Sequence, residues 1–122
     1  MIFQGRFRTV RHADHAVPTP QPRPLLGPGA CLDIRAWRGT GAEGPRLLVT
    51  TARKTGPAVR RNQFRRRVRM AFLACLAPVE AQPWVVWVRP GRTAPPLDRI
   101  PFQDIQTQLQ LALRRLPAPD RP

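Results

Sequence analysis

Residues 58–76 read Ala58-Val-Arg-Arg-Asn-Gln-Phe-Arg-Arg-Arg-Val-Arg-Met-Ala-Phe-Leu-Ala-Cys-Leu76, and this stretch orders the rest of the chain. At 100° per residue Phe64, Val68, Ala71, Phe72 and Cys75 gather on one side, while Asn62, Arg65, Arg66 and Arg69 share a narrow sector elsewhere. The pattern predicts a helix with one face docked on a core and another carrying arginine. Thr55, Gly56 and Pro57 make a tight entry to it, and Pro78 stops it.

On either side of this helix the periodicity changes. Residues 46–52, Arg-Leu-Leu-Val-Thr-Thr-Ala, read as a strand, and residues 84–88, Trp-Val-Val-Trp-Val, as a strand buried on both faces. Upstream, residues 30–38 alternate Leu32, Ile34 and Ala36 against Asp33, Arg35 and Trp37, the pattern of a half-buried strand. Gly39-Thr40-Gly41 is a plausible turn, and a hairpin there would make the strands of 30–38 and 46–52 antiparallel neighbours. Phe3, Phe7 and Val10 would align on a short helix over 3–12, which Gly5 weakens. Phe102, Ile105, Leu109, Ala112, Leu113 and Leu116 form the stripe of a last helix, with Pro101 in its first turn and Pro117 at its end. The alternating prolines of 17–29 remove donors and fix φ, so they predict an extended loop outside the core. The expectation is one α+β domain over 1–117, with a Pro-rich insertion at about 17–29 and a loose tail over 118–122.

The 122 residues carry 21 basic and seven acidic side chains, a formal net charge of +14. Such a surface repels itself unless a polyanion neutralises it, so nucleic acid is the first partner to consider. Twenty of the basic residues are Arg and only Lys54 is Lys. Arginine suits bidentate phosphate contact and stacking on bases, although a codon bias toward Arg would leave the same mark. A membrane partner is not expected, since no apolar run approaches the ~20 residues of a spanning helix. No secretory signal is read at the N-terminus, so the chain is expected in the cytoplasm. Cys31 and Cys75 stand far apart without metal-ligand spacing and are read as reduced, small apolar residues. His12 and His15 lack a third ligand nearby and are read as solvated or RNA-facing.

Between Arg53 and Arg69 stand eight basic residues and no acidic one. Arg61, Arg65 and Arg69 recur every four residues, about 6 Å apart along a helix axis, close to the spacing of successive phosphates. No Asp or Glu sits three or four residues from them, so the like charges destabilise the helix unless a polyanion covers it. The first-turn amides add a further attraction for phosphate.

At these positions the chain resembles the bacterial ribonuclease P protein family, whose signature runs approximately K-x-G-x-A-V-x-R-N-x-x-[KR]-R-x-x-R. Lys54, Gly56, Ala58, Val59, Arg61, Asn62, Arg65, Arg66 and Arg69 match it. Residues 45–53, the run 85–91 with its Arg-Pro exit, and Phe7 with Val10 extend the likeness over about two-thirds of the chain. Gln63 stands where the family has a basic residue, with Arg60 or Arg67 as neighbours able to compensate. The Pro-rich 18–28 departs from the family's short link.

The resemblance implies a four-stranded sheet, an N-terminal helix, the basic helix in a left-handed βαβ crossover, against the usual hand, and a C-terminal helix. It also implies a protein subunit that binds the catalytic RNA of ribonuclease P and the 5′ leader of precursor tRNA during leader removal. Arg53, Lys54, Arg60, Arg61, Asn62, Arg65, Arg66 and Arg69 would then contact RNA. Phe3, Phe7, Leu32 and Ile34 would line a leader cleft, where aromatic faces stack on unpaired bases. The resemblance puts Mg²⁺ and the hydrolysis in the RNA subunit, leaving the protein alone inactive and without a cofactor of its own. No carboxylate cluster, Ser-His-Asp set or two-metal ligand group is visible in the sequence.

Two other classes use similar charge. A ribosomal or general RNA-binding module would bind bulk RNA without affecting leader cleavage. A DNA-binding regulator would need a second helix three or four residues before the basic one, and none is read there.

Overall fold

A computed structural model describes residues 8–10, 17–39, 44–79 and 82–117. Strand β4 (Trp84–Pro90) is the centre of the sheet, as its composition requires. From Trp84 to Val88 it has no charged side chain, and all five residues are buried, so both faces and both edges must be covered. Strand β2 (Leu32–Arg38) pairs with it antiparallel, from Leu32 opposite Pro90 to Arg38 opposite Trp84. Strand β3 (Arg46–Val49) pairs along its other edge in parallel, with Leu47 opposite Val86 and Val49 opposite Val88. Strand β1 (Arg8–Val10) flanks β3 in parallel, and the sheet order is β1-β3-β4-β2.

Two expectations change here. The segments of 30–38 and 46–52 do not pair as a hairpin, because β4 lies between β2 and β3. An apolar run with no face to give to water gains most by taking two partners, and that outweighs the short connection. The helix expected over 3–12 is also not what residues 8–10 form. They are extended, which suits the β-branched Thr9 and Val10 and satisfies the free edge of β3. Residues 1–7 and 11–16 lie outside the described residues.

Alternation along the strands gives the sheet two unlike faces. One presents Leu32, Ile34, Leu47, Val49, Trp84, Val86 and Val88 to the helices. Helix α1 (Ala58–Ala74) buries Phe64, Val68, Ala71 and Phe72 there, and helix α2 (Phe102–Arg114) buries Ile105, Leu109, Ala112 and Leu113. The predicted apolar stripes of both helices are therefore the core. Helix α1 ends a little earlier than read, at Ala74, where the Cys75 amide donates to the carbonyls of Ala71 and Phe72. On α2 the Gln108 side chain accepts from the Leu32 amide at 3.0 Å, tying that helix to β2.

The Pro-rich segment is a loop, as expected, but it is docked. The Leu25 amide donates to the Ile34 carbonyl at 2.8 Å, and Leu26 is buried in the core. Among the described residues no helix is long and apolar enough to cross a membrane.

Candidate nucleic-acid interface

Because β3 and β4 run parallel and β2 runs against them, residues 50–52, 90–93 and 30–31 meet at one end of the sheet. An open groove of about 1610 Å³ lies across that end. The carboxyl ends of parallel strands are a recurrent place for ligands, since the following loops and helix N-termini converge there. Helix α1 starts from this end, and its Asn62, Arg65 and Arg69 reach the groove together with Lys54.

Local contacts hold these groups in place. Arg65 donates through Nη1 to Asn62 Oδ1 at 3.1 Å and through Nη2 to Thr51 Oγ1 at 3.2 Å, which fixes its guanidinium between α1 and the end of β3. Lys54 is exposed on a single 3-10 turn, Arg53–Thr55, that is closed by the Thr55 hydroxyl donating to the Ala52 carbonyl. Gly56 follows at φ +145°, a backbone conformation that favours glycine, before Pro57 leads into α1.

The second sheet face supplies a cluster that sequence reading did not find. Asp33 accepts from Arg35 Nε at 3.1 Å and from Arg89 Nε at 2.9 Å. Burial by itself would raise the Asp33 pKa, but the hydrogen bonds and charges of the two arginines outweigh it and hold the carboxyl below its ordinary 3.8. Arg89 lies 4.3 Å over the Trp87 ring, and Trp87 donates from Nε1 to Thr50 Oγ1 at 2.8 Å. Trp37 meets Trp87 edge-on, with centroids 6.3 Å apart. Trp87 is only 4% exposed, so it supports the Arg89 guanidinium from beneath, and the planar face of that arginine is what this part of the groove presents to a base or a phosphate. Arg89 and Asp33 are 56 positions apart, so no sequence window holds both.

The other sequence-derived candidates are dispersed. Arg53 and Arg66 are exposed away from the groove lining. Arg60 faces Asp98 at 3.5 Å across an exposed ion pair, an acidic partner that lies far beyond i±4 in the chain. Arg61 is half-buried, and its Nε is buried with no hydrogen-bond partner. Leu32 and Ile34 do not form a cleft wall. They are 2% and 0% exposed on the helix side of β2, and only Leu32 touches the groove edge, because the outward residues of that strand are Asp33, Arg35 and Trp37. Phe3 and Phe7 lie outside the described residues. Among the described residues no three His, Cys, Asp or Glu side chains gather as a metal site.

The ribonuclease P family model matches residues 29–117. The chain belongs to the ribonuclease P protein family. The ribonuclease P protein component of Ruegeria pomeroyi is 40% identical over 94 residues, which cover 76% of this chain and 74% of that one. The fold is shared with the ribonuclease P protein of Thermotoga maritima, at a TM-score of 0.61 and 23% identity over 71% of this chain and 78% of that one. A second structure of the Thermotoga protein, in complex with 1-(4-fluorophenyl)-2-thiourea, gives a TM-score of 0.60 at 24% identity, covering 70% of this chain and 79% of that one. The Staphylococcus aureus protein gives 0.56 at 22% identity, over 70% and 74% of the two chains. As a family member the chain is a protein subunit of ribonuclease P, an endoribonuclease of tRNA processing.

Proposed function

We propose that this subunit binds the catalytic RNA through the basic residues of 53–69 and holds the unpaired 5′ leader of precursor tRNA in the groove, assisting leader removal. The observation that carries this reading is the convergence of Asn62, Arg65 and Arg69 with Arg89 and Trp87 on one groove. Cations there meet phosphates, and the planar guanidinium of Arg89, held over Trp87, offers a face on which an unpaired base can stack, so the site suits a single strand. Arg60, Arg61 and Arg66, which the groove does not use, remain for the RNA subunit. Hydrolysis belongs to that RNA with its bound Mg²⁺, and the protein alone is inactive. The same reading places the protein in the cytoplasm and gives the β3-α1-β4 crossover a left-handed sense.

Adding the protein to its cognate RNA subunit at low Mg²⁺ tests the proposal. Cleavage of precursor tRNA should rise strongly, and the protein without RNA should cleave nothing. An unchanged rate overturns the reading.

A further inference from the structure

Among the described residues no strand lies beyond β2, so its outer main-chain groups face away from the sheet. A free edge of this kind is a template for pairing with another chain. In an antiparallel pair the outward groups fall on every second residue. Leu32 and Ile34 belong to that set, because the Leu32 amide and the Ile34 carbonyl bond outside the sheet, and Ala36 continues it. The Pro-rich segment, which precedes the family match at residue 29, occupies this edge. The Leu25 amide donates to the Ile34 carbonyl at 2.8 Å. Arg35 Nη1 donates to the Pro22 carbonyl at 2.9 Å from one face of the strand, and Arg115 Nη1, at the end of α2, donates to the Leu25 carbonyl at 2.7 Å from the other. Leu26, 8% exposed, anchors the segment in the core. Pro20, Pro22 and Pro24 have no amide to offer a further strand.

Without that segment the edge would fit a second copy of itself. Antiparallel pairing of two β2 strands centred on Ile34 sets Ile34 against Ile34 and Leu32 against Ala36. The same register puts Asp33 of each copy opposite Arg35 of the other. Opposite charges across the strands, and hydrogen bonds at the outward positions, make the pairing self-complementary, as a two-fold interface requires.

We infer that residues 22–26 are an edge clasp, which keeps the RNA-free subunit monomeric by filling the place that the β2 strand of a second copy would take. The net charge of +14 also repels a second copy, but salt screens that repulsion and leaves the clasp in place. Sedimentation of the full chain without RNA, in high salt, is therefore the test. Wild type should run as a monomer of 13.8 kDa. Leu25→Pro with Arg115→Ala removes the amide and the guanidinium that hold the clasp, and should double the sedimenting mass where wild type stays monomeric. Adding Ala36→Pro deletes an outward amide of β2 and spares its ladder to β4, so the mass should return to that of a monomer. Arg115→Ala alone, a change at an exposed side chain, should dimerise at higher concentration. It decides the question if the double variant loses its circular dichroism signal, and its remaining monomeric would then overturn the inference. A folded double variant that stays monomeric overturns it too. So does association that Ala36→Pro leaves intact, or a wild type that is itself a dimer.

Discussion

Arg89 Nε donates a 2.9 Å hydrogen bond to Asp33 Oδ2, joining the end of the central strand to its antiparallel neighbour across the floor of the groove. With Arg35 on the other side, one carboxylate restrains two guanidinium groups in a protein of net charge +14.

Asp33→Asn should therefore act in opposite directions on stability and on RNA. The folded carboxyl titrates below 3.8, so its contribution is fully present at neutral pH and is lost as pH falls through that lowered value. The variant should lose about 1–3 kcal/mol at neutral pH, the scale of a charge-assisted hydrogen bond, and lose part of the acid dependence of unfolding. Urea titrations at neutral and acid pH read both effects. Released from Asp33, Arg35 and Arg89 should bind RNA more strongly, with a steeper dependence on salt.

Arg65→Ala with Arg69→Ala should weaken holoenzyme binding of precursor tRNA that carries its leader and flatten the plot of log affinity against log salt by about 0.7 per lost phosphate contact on the single strand. Arg69 is exposed, and Arg65 bonds only at the groove rim, so thermal unfolding should move little. Thr51→Val removes one acceptor that fixes the Arg65 guanidinium and should weaken binding less, with an unchanged salt slope.

Gly91→Ala should destabilise the fold by about 1–3 kcal/mol through overpacking. An added Cβ would stand 2.5 Å from the Ala30 carbonyl oxygen and 3.1 Å from that of Cys31, and both neighbours are backbone. The Gly91 amide also donates to the Cys31 carbonyl at 2.7 Å, so neither chain can retreat without losing that bond. A lowered thermal midpoint is the expected result.

Cys75 should resist alkylation in the folded protein. Burial pushes its thiol up to about 11, so almost no thiolate exists at neutral pH, and its Sγ sits 3.1 Å from the Ala71 carbonyl. Cys31 is half-buried and should react first, with Cys75 following only on unfolding. Mass-resolved labelling with and without denaturant separates the two.

Features that depend on neighbours in the chain were legible before any coordinates. The stripes Phe64-Val68-Ala71-Phe72 and Ile105-Leu109-Ala112-Leu113 follow from a 3.6-residue period, and the double burial of residues 84–88 follows from their composition. The basic motif from Lys54 to Arg69 was legible for the same reason, since its residues lie on one helix and the short turn that leads into it. Pairings across long separations were not. The insertion of β4 between β2 and β3, the extended form of residues 8–10, the Asp33–Arg89 contact, the Arg60–Asp98 pair and the docking of residues 22–30 each bring together segments that no local period relates. Sequence alone determined which helix would be basic and which residues would be core, because propensity and amphipathic period act within a few residues. Only the tertiary structure decided that Asn62, Arg65 and Arg69 share a groove with Arg89, Trp87 and the prolines, because burial of β4 on all sides draws those distant segments to one end of the sheet.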